Sequence, residues 1–466
     1  MLLPPFALGD IVELSPHDLS QDGGSIARLD AFVVFLDRGL PGQMLRARIT
    51  KLQSAFARAE VLETLASAEN AAPRYCPHQG ECGGCAWPGL DYNEELRWKE
   101  RRVRESFRRL GRLGETADSL SKPVVPSPRL LGYRNKLEFA FAWSADELVL
   151  GLKRRGTHHI VPVRDCALAR SPLAEILAFT RRWLLGNAPA ALCGNRRSPR
   201  YLVVRQPDYA PRGIPQCQVE LIVSAPASSP VRDIGNAFSL ALRQSVPEVT
   251  SFVLSQRLGR ADVAYGEQIL LAHGSQHIRE RIGHLVLEAP VAAFLQANTQ
   301  AASLMHTEVR RLAAPFMRPE STRVWDLYCG VGSIGLFLAD RVLRVHGFES
   351  SRKAVACALQ NATRNRLHNC AFTAGDATVQ AKQAARIEGA PDIIITDPPR
   401  AGLNPEMTAL LLELQARIII AVSCDPASQA RDLARLAEKY RVRDIQPFDF
   451  FPHTPHVESV VLLEMK

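Results

Sequence analysis

The sequence predicts a multidomain α/β protein: a small N-terminal β-barrel, a central α+β domain and a C-terminal Rossmann-like, doubly wound parallel sheet. Three observations carry this expectation. The chain has 466 residues, too many for one hydrophobic core, so two to four domains are expected. Strand-like runs broken by glycine and proline turns fill the first 66 residues. From residue 287 onward, apolar strands alternate with helical stretches, as in an open sheet covered on both faces.

Composition excludes several function classes. Hydrophobic residues make up 46% and charged residues 23%, ordinary for a globular protein. No run of about 18 apolar residues occurs, so a membrane-spanning helix is not expected. Residues 1–10 lack the basic and apolar regions of a secretory leader, so a cytoplasmic location is expected. The formal net charge is +9, which suggests a polyanionic partner.

Taken in chain order, residues 1–66 read as a barrel domain. Strands at 31–36 and 45–50, with turns at Gly23-Gly24 and Pro41-Gly42, suit a five-stranded barrel of the oligonucleotide-binding type. Residues 70–90 are rich in Cys, Gly and Pro. Ten cysteines in a cytosolic chain point away from disulfides and toward metal binding or catalysis. Cys76, Cys82 and Cys85 lie close together, with Cys166 downstream. This set suits tetrahedral zinc or an iron–sulfur cube, and spacing alone leaves both open. Cys193, Cys217, Cys357 and Cys370 read as packing residues.

Residues 91–112 predict a basic amphipathic helix with Leu96, Val103, Phe107 and Leu110 on one side and Gly111 at its end. Arg97, Lys99, Arg101, Arg102, Arg104, Arg108, Arg109 and Arg112 crowd it, and smaller clusters stand at Lys153-Arg154-Arg155 and at Arg196, Arg197 and Arg200. Phosphate contact is the expectation for these clusters. Residues 67–286 as a whole predict a mainly antiparallel α+β domain, with strands at 136–143, 148–152, 201–205, 218–224 and 251–255.

Residues 287–466 hold the chemistry. Asp326-Leu-Tyr-Cys-Gly-Val-Gly-Ser-Ile-Gly335 joins a strand to a helix, where glycines let a ligand approach the backbone. Glu349, at the end of the next strand, suits ribose hydroxyls, and Asp376, after a third strand, suits an adenine contact. The trio points to S-adenosylmethionine; the spacing differs from the nicotinamide fingerprint. Asp397-Pro-Pro-Arg-Ala-Gly402 follows another strand, and its two prolines make a rigid turn. Methyltransferases acting on exocyclic nitrogen carry an aromatic residue after the prolines. Arg400 stands there instead and argues against that chemistry.

Cys424, in Val422-Ser-Cys-Asp-Pro426, also sits at a strand end. Carbon 5 of a pyrimidine is a poor nucleophile until a thiolate adds at carbon 6, which makes cysteine the expected nucleophile. A base must later take the carbon 5 proton, and Glu458, before the last strand, is the candidate.

Together these motifs resemble the RNA uracil-5-methyltransferase family, with DLYCGVG, DPPRAG, SCDP and HVES in the family's order across nearly the whole chain. The resemblance is to the bacterial 23S ribosomal RNA branch that carries an iron–sulfur cluster. It implies a TRAM domain at residues 1–66, a central iron–sulfur domain at 67–286 and a class I methyltransferase domain at 287–466. It implies that Cys76, Cys82, Cys85 and Cys166 bind a [4Fe–4S] cluster. It also implies that Gln296, Tyr328, Ser333, Glu349, Asp376 and Asp397 line the methyl-donor and substrate site, and that helix 91–112 packs on the catalytic domain. Ser333 and Asp376 stand where relatives often carry amides.

The implied partner is RNA, most of all 23S rRNA, whose target uridine must leave its stack at a cost of roughly a few kcal/mol. A monomer without membrane association is expected. The alternatives are a transfer-RNA uridine-54 or dual-site enzyme, and an RNA-binding protein with an inactive methyltransferase module. Intact Cys424, Glu458 and Asp397 oppose the inactive module.

Overall fold

The structure is a computed structural model and describes residues 5–30, 32–69, 71–73, 75–144, 147–170, 172–187, 198–291 and 293–466. Cys193, Arg196 and Arg197 lie outside the described residues. The chain divides into two compact units. One comprises Met1–Lys99, Leu152–Val163 and Phe451–His456; the other comprises Glu100–Gly151, Arg164–Phe450 and Val457–Lys466. The first unit therefore runs past the expected boundary at residue 66, and the central and C-terminal regions share the second. No helix among the described residues is long and apolar enough to cross a membrane.

The first unit is built on a six-stranded sheet rather than five strands. Its order is Ile11–Leu14, Met44–Leu52, Phe56–Ala66, Phe32–Leu36, Ser25–Leu29 and Pro16–Leu19. The extra strand comes from a change of partner around Ser15: Ile11–Leu14 pairs with Met44–Leu52, whereas Pro16–Leu19 pairs with Ser25–Leu29. Pro16 has no amide hydrogen with which to extend the first ladder. Alternation buries Leu14, Val34, Leu45, Ala47, Ile49 and Ala57 in one apolar cluster. Gly24 passes so close to the Leu36 carbonyl that a Cβ there would overlap it, which is why the turn needs glycine.

A second apolar cluster in this unit joins Leu19, Leu40, Ala86, Trp87 and Trp98. Trp98 lies on the helix Tyr92–Arg109. On the same stretch Glu95 and Lys99 are both fully buried and paired at 2.6 Å. The Glu95 carboxylate also accepts the His453 amide at 2.9 and 3.0 Å, and Lys99 donates to the Phe451 carbonyl at 3.2 Å. Such a pair is tolerable in the interior because hydrogen bonds satisfy both charges.

The helix differs from expectation in two ways. Leu110 lies beyond its end and is 44% exposed, while Val103 and Phe107 are buried in the core of the second unit. The basic stripe is also largely neutralised: Arg97 pairs with Glu94, Arg104 with Glu100, Arg108 with Asp118, Arg109 with Glu105, and Lys99 is buried. Acidic residues one turn away reach these cations, and Asp118, beyond the helix, reaches Arg108.

In the second unit, Gln268–His273, Ser251–Gln256, Gln218–Val223, Tyr201–Arg205, Lys136–Ser144 and Glu147–Lys153 lie side by side in that order. All these neighbours are antiparallel except Gln218–Val223 with Ser251–Gln256. A hairpin follows, His277–Ile282 with Leu285–Pro290, so the expected boundary at 286 falls inside a strand.

The C-terminal sheet has seven strands: β1 (Arg323–Leu327), β2 (Arg344–Glu349), β3 (Cys370–Ala374), β4 (Ile393–Thr396), β5 (Ile418–Ser423), β6 (Tyr440–Phe448) and β7 (Glu458–Met465). Their order is β3-β2-β1-β4-β5-β7-β6. The first five strands are parallel, but β7 runs antiparallel to β5 and to β6. The fully parallel expectation is corrected at this edge. Strand β6 escaped notice because its N-terminal half alternates charged and apolar residues, as an edge strand does.

Candidate active site

The parallel strands deliver their carboxyl ends to one edge of the sheet, where open α/β sheets bind ligands. At the end of β1, Tyr328 takes φ +64°, followed by Gly330 at +55° and Gly332 at +85°. Left-handed backbone at a non-glycine residue is sterically costly, and it turns the chain sharply before the helix Ser333–Leu338. Gly335 lies against β1, and its amide donates to Asp326 Oδ2 at 2.8 Å. Asp326 is buried and its Oδ1 has no hydrogen-bond partner. Burial, with Asp397 and Glu349 nearby, pushes its carboxyl up to about 7.

Glu349 ends β2 with both oxygens engaged. Oε2 accepts the Gly330 amide at 3.2 Å, and Oε1 accepts the Ser351 amide at 2.8 Å. The carboxylate is thus fixed beside the glycine turn. Asp376 is exposed and caps the helix Ala377–Glu388 by accepting the Val379 amide at 3.0 Å. Burial pushes the Tyr328 hydroxyl up to about 12, with Asp376 and Asp432 adding to the effect. Ser333 opens its helix half-buried. Gln296 is half-buried, and its carbonyl accepts the buried Asn135 amide at 2.9 Å.

Cys424 and Glu458 meet through strand register. Ser423 of β5 pairs with Ser459 of β7 at the end of the ladder, and Cys424, one residue beyond it, lies near Glu458, the first residue of β7. Cys424 is half-buried. Burial and then Glu458 push its thiol up to about 11, while Arg400 hydrogen-bonds to it and pulls the other way. Burial and then Asp397 push the Glu458 carboxyl up to about 8, again with Arg400 opposing. Burial raises Asp397 to about 6. The Cys424 thiol and the Glu458 carboxyl thus share one guanidinium, with the Asp397 carboxyl close to both. Arg400 and Asp326 were not among the expected site residues. Arg400 was legible only as a departure from the aromatic residue of nitrogen methyltransferases.

Two buried side chains on the helix Pro426–Leu436 brace these loops. Gln429 donates to the Ala421 carbonyl at 2.8 Å and accepts from Ser459 Oγ at 2.6 Å, tying β5 to β7. Asp432 Oδ2 accepts the Leu403 amide at 2.7 Å. Arg102, only 12% exposed, lies 3.7 Å from Asp425, the residue after Cys424.

The cysteine set is placed differently. Cys76, Cys82 and Cys85 stand half-buried in the first unit, and Cys166 half-buried in the second. The Gly84 amide donates to Cys82 Sγ at 3.3 Å. Among the described residues, no group of three or more His, Cys, Asp or Glu side chains is gathered for a metal ion. Cys217 and Cys357 are buried, and Cys357 donates to the Glu288 carbonyl at 2.7 Å, a packing role.

Comparison with known proteins agrees with this geometry. The family model described as tRNA (Uracil-5-)-methyltransferase matches residues 275–466, beginning just before the hairpin, and the TRAM domain model matches residues 5–62. An uncharacterized RNA methyltransferase of Nitratidesulfovibrio vulgaris is 40% identical over 99% of this chain and 97% of its own length. Another, from Enterococcus faecalis, is 31% identical over 98% of each chain. A Pyrococcus abyssi tRNA (uracil-54, C5)-methyltransferase, solved with S-adenosyl-L-homocysteine, shares the fold. Its TM-score is 0.74 at 23% identity, covering 97% of this chain and 100% of that one. The chain belongs to the RNA uracil-5-methyltransferase family, with a TRAM domain ahead of its methyltransferase domain.

Proposed function

We propose that the chain transfers a methyl group from S-adenosylmethionine to carbon 5 of a uridine in RNA, through a covalent bond between Cys424 and carbon 6. The observation that carries this reading is the β5–β7 ladder ending at Ser423 and Ser459, beside which the Cys424 thiol and the Glu458 carboxyl lie close to each other and to the Arg400 guanidinium. S-adenosylmethionine supplies an electrophilic methyl group. The unpartnered Asp326 Oδ1, the glycine turn and the immobilised Glu349 carboxylate fit it, and the family resemblance adds Gln296, Tyr328, Ser333 and Asp376 to the same site.

The Cys424 thiol gives up its proton to solvent, and Arg400 stabilises the thiolate as it forms. The sulfur bonds to carbon 6, and the electron pair of the 5,6 double bond moves to the carbon 4 oxygen as an enolate. Carbon 5 then takes the methyl group as the sulfonium carbon–sulfur bond breaks, leaving a neutral thioether, S-adenosylhomocysteine. The Glu458 carboxylate removes the remaining carbon 5 proton, the double bond re-forms and the carbon–sulfur bond breaks, returning the thiolate. Asp397, fixed by the proline turn, faces the same space and suits a hydrogen bond to the base.

RNA carrying 5-fluorouridine should form a covalent complex stable on a denaturing gel, because fluorine replaces the proton that must leave. Cys424→Ala should form none; a complex with that variant overturns the nucleophile assignment.

Ribosomal RNA of the large subunit is the preferred substrate class, supported by the cysteine loop that marks the resembled branch. Cys76, Cys82, Cys85 and Cys166 are assigned to a [4Fe–4S] cluster, supported by an all-thiol donor set and the amide hydrogen bond on Cys82. A cluster there would fasten the loop; it has no step in methyl transfer. Iron and sulfide analysis after anaerobic reconstitution tests it: Cys82→Ser should lose most of the iron, and an iron-free wild-type chain overturns the assignment. The second reading, a transfer-RNA uridine, is favoured by the family model's description. Mapping 5-methyluridine in both RNAs from cells lacking the protein distinguishes the two.

A further inference from the structure

The turn Asp397–Gly402 bears Arg400 but takes no part in any strand, so something must hold it against Cys424. The helix Pro426–Leu436 begins two residues after Cys424 and carries Asp432 on its buried face. Asp432 Oδ2 accepts the Leu403 amide at 2.7 Å, and Asp432 is only 5% exposed. Gly402, at φ +84°, presses against this carboxylate so closely that a Cβ would overlap Oδ2. One helical turn earlier, Gln429 ties the same helix to β5 and β7. The helix is therefore fixed to the strands of Cys424 and Glu458 through Gln429, and to the turn of Arg400 through Asp432.

We propose that Asp432 is a positioning residue, which holds the Asp397–Gly402 turn so that the Arg400 guanidinium stays on the Cys424 thiol. This rests on the methyl-transfer reading only in its purpose; the contact itself can be read without RNA. A buried carboxylate that accepts a backbone amide from a loop is a strong tie, because the charged acceptor strengthens the bond; Arg435, 3.4 Å from Oδ1, balances the charge on the same helix. Release of the turn would let the guanidinium drift from the sulfur, to which it hydrogen-bonds.

The test is the pH dependence of Cys424 alkylation by iodoacetamide in the full chain, followed peptide by peptide by mass spectrometry. Arg400→Gln should raise the midpoint by about one pH unit, the size of effect one adjacent cation has on a thiol. Asp432→Ala should raise it similarly, and the double variant should be no worse than either single one. Asp432→Asn, which can still accept the Leu403 amide, should restore the wild-type midpoint. If Asp432→Ala does not fold, Asp432→Glu pushes the turn by one methylene and should give the same rise. An unchanged midpoint in the folded Asp432 variant, with only a lower melting temperature, overturns the proposal. An unchanged midpoint in Arg400→Gln overturns it too, and removes Arg400 from the proposed mechanism while leaving the Cys424 assignment to the 5-fluorouridine test.

Discussion

At the scale of single residues, the site runs on burial of acids. Glu458 has its carboxyl raised to about 8 by burial beside Asp397. The folded chain therefore holds a proton that the unfolded chain has released at neutral pH. The sign follows: folding is favoured fully below the ordinary glutamate range, and stability is lost as pH rises toward 8. Glu458→Gln should be more stable than wild type at about pH 8.5, by on the order of 2 kcal/mol, with the difference gone near pH 4.5. Thermal melts at the two pH values check this. The same variant should lose methyl transfer by about 100-fold or more, yet still form the carbon 6 adduct, because only proton removal is blocked. A base with its carboxyl near 8 also makes the rate rise from about pH 6 to pH 9; a flat profile would point to another base.

At the scale of elements, glycine and buried charge decide how strands and helices approach. Gly347 of β2 lies beneath Phe372 and beside Cys329, whose Sγ would stand 2.8 Å from an added Cβ. Gly347→Ala should destabilise the sheet by about 1–3 kcal/mol through overpacking and weaken binding of S-adenosylmethionine at the adjacent turn. Chemical denaturation and calorimetric titration check the two effects. On the helix Tyr92–Arg109, the Glu95–Lys99 pair is sealed from water. Glu95→Ala would take the carboxylate from a buried ammonium and should cost about 3–5 kcal/mol. Denaturation of the full chain should show that loss, while Arg97→Ala, which removes an exposed pair, should change stability by less than about 1 kcal/mol.

At the scale of the whole molecule, the chain order and the compact units do not coincide. Leu152–Val163 and Phe451–His456 belong with Met1–Lys99, although long stretches of sequence separate them. A chain begun at residue 100 would leave both segments without their unit, and is expected to bind apolar dye and express poorly even though every proposed catalytic residue remains. The +9 net charge supports RNA binding that weakens with salt. With most arginines of the helix Tyr92–Arg109 already paired, the slope of log affinity against log salt should report fewer phosphate contacts than that helix has basic residues. Filter binding over a salt series measures it; a slope of about −5 or steeper, as seven phosphate contacts would give on a single strand, would show those ion pairs opening for RNA.

The sequence by itself determined the family and where its motifs lie. DLYCGVG, DPPRAG, SCDP and HVES are local signals, because turns at strand ends are specified by the residues within them, and the alternation of apolar runs with helices announced the sheet. The TRAM barrel was legible for the same reason, down to its Gly23-Gly24 turn. Only the tertiary structure decided what depends on partners distant in sequence. The antiparallel β7, which brings Glu458 near Cys424, follows from register with β5 and not from any local pattern. Lys99 reads in the sequence as one cation of a phosphate-contacting cluster, whereas Glu95 and the Phe451 carbonyl enclose it. The tie from Asp432 to Leu403 spans two motifs that sequence treats separately. Local steric preferences fix where a chain turns, but burial and pairing are properties of the assembled core, so the tuning of the site is visible only there.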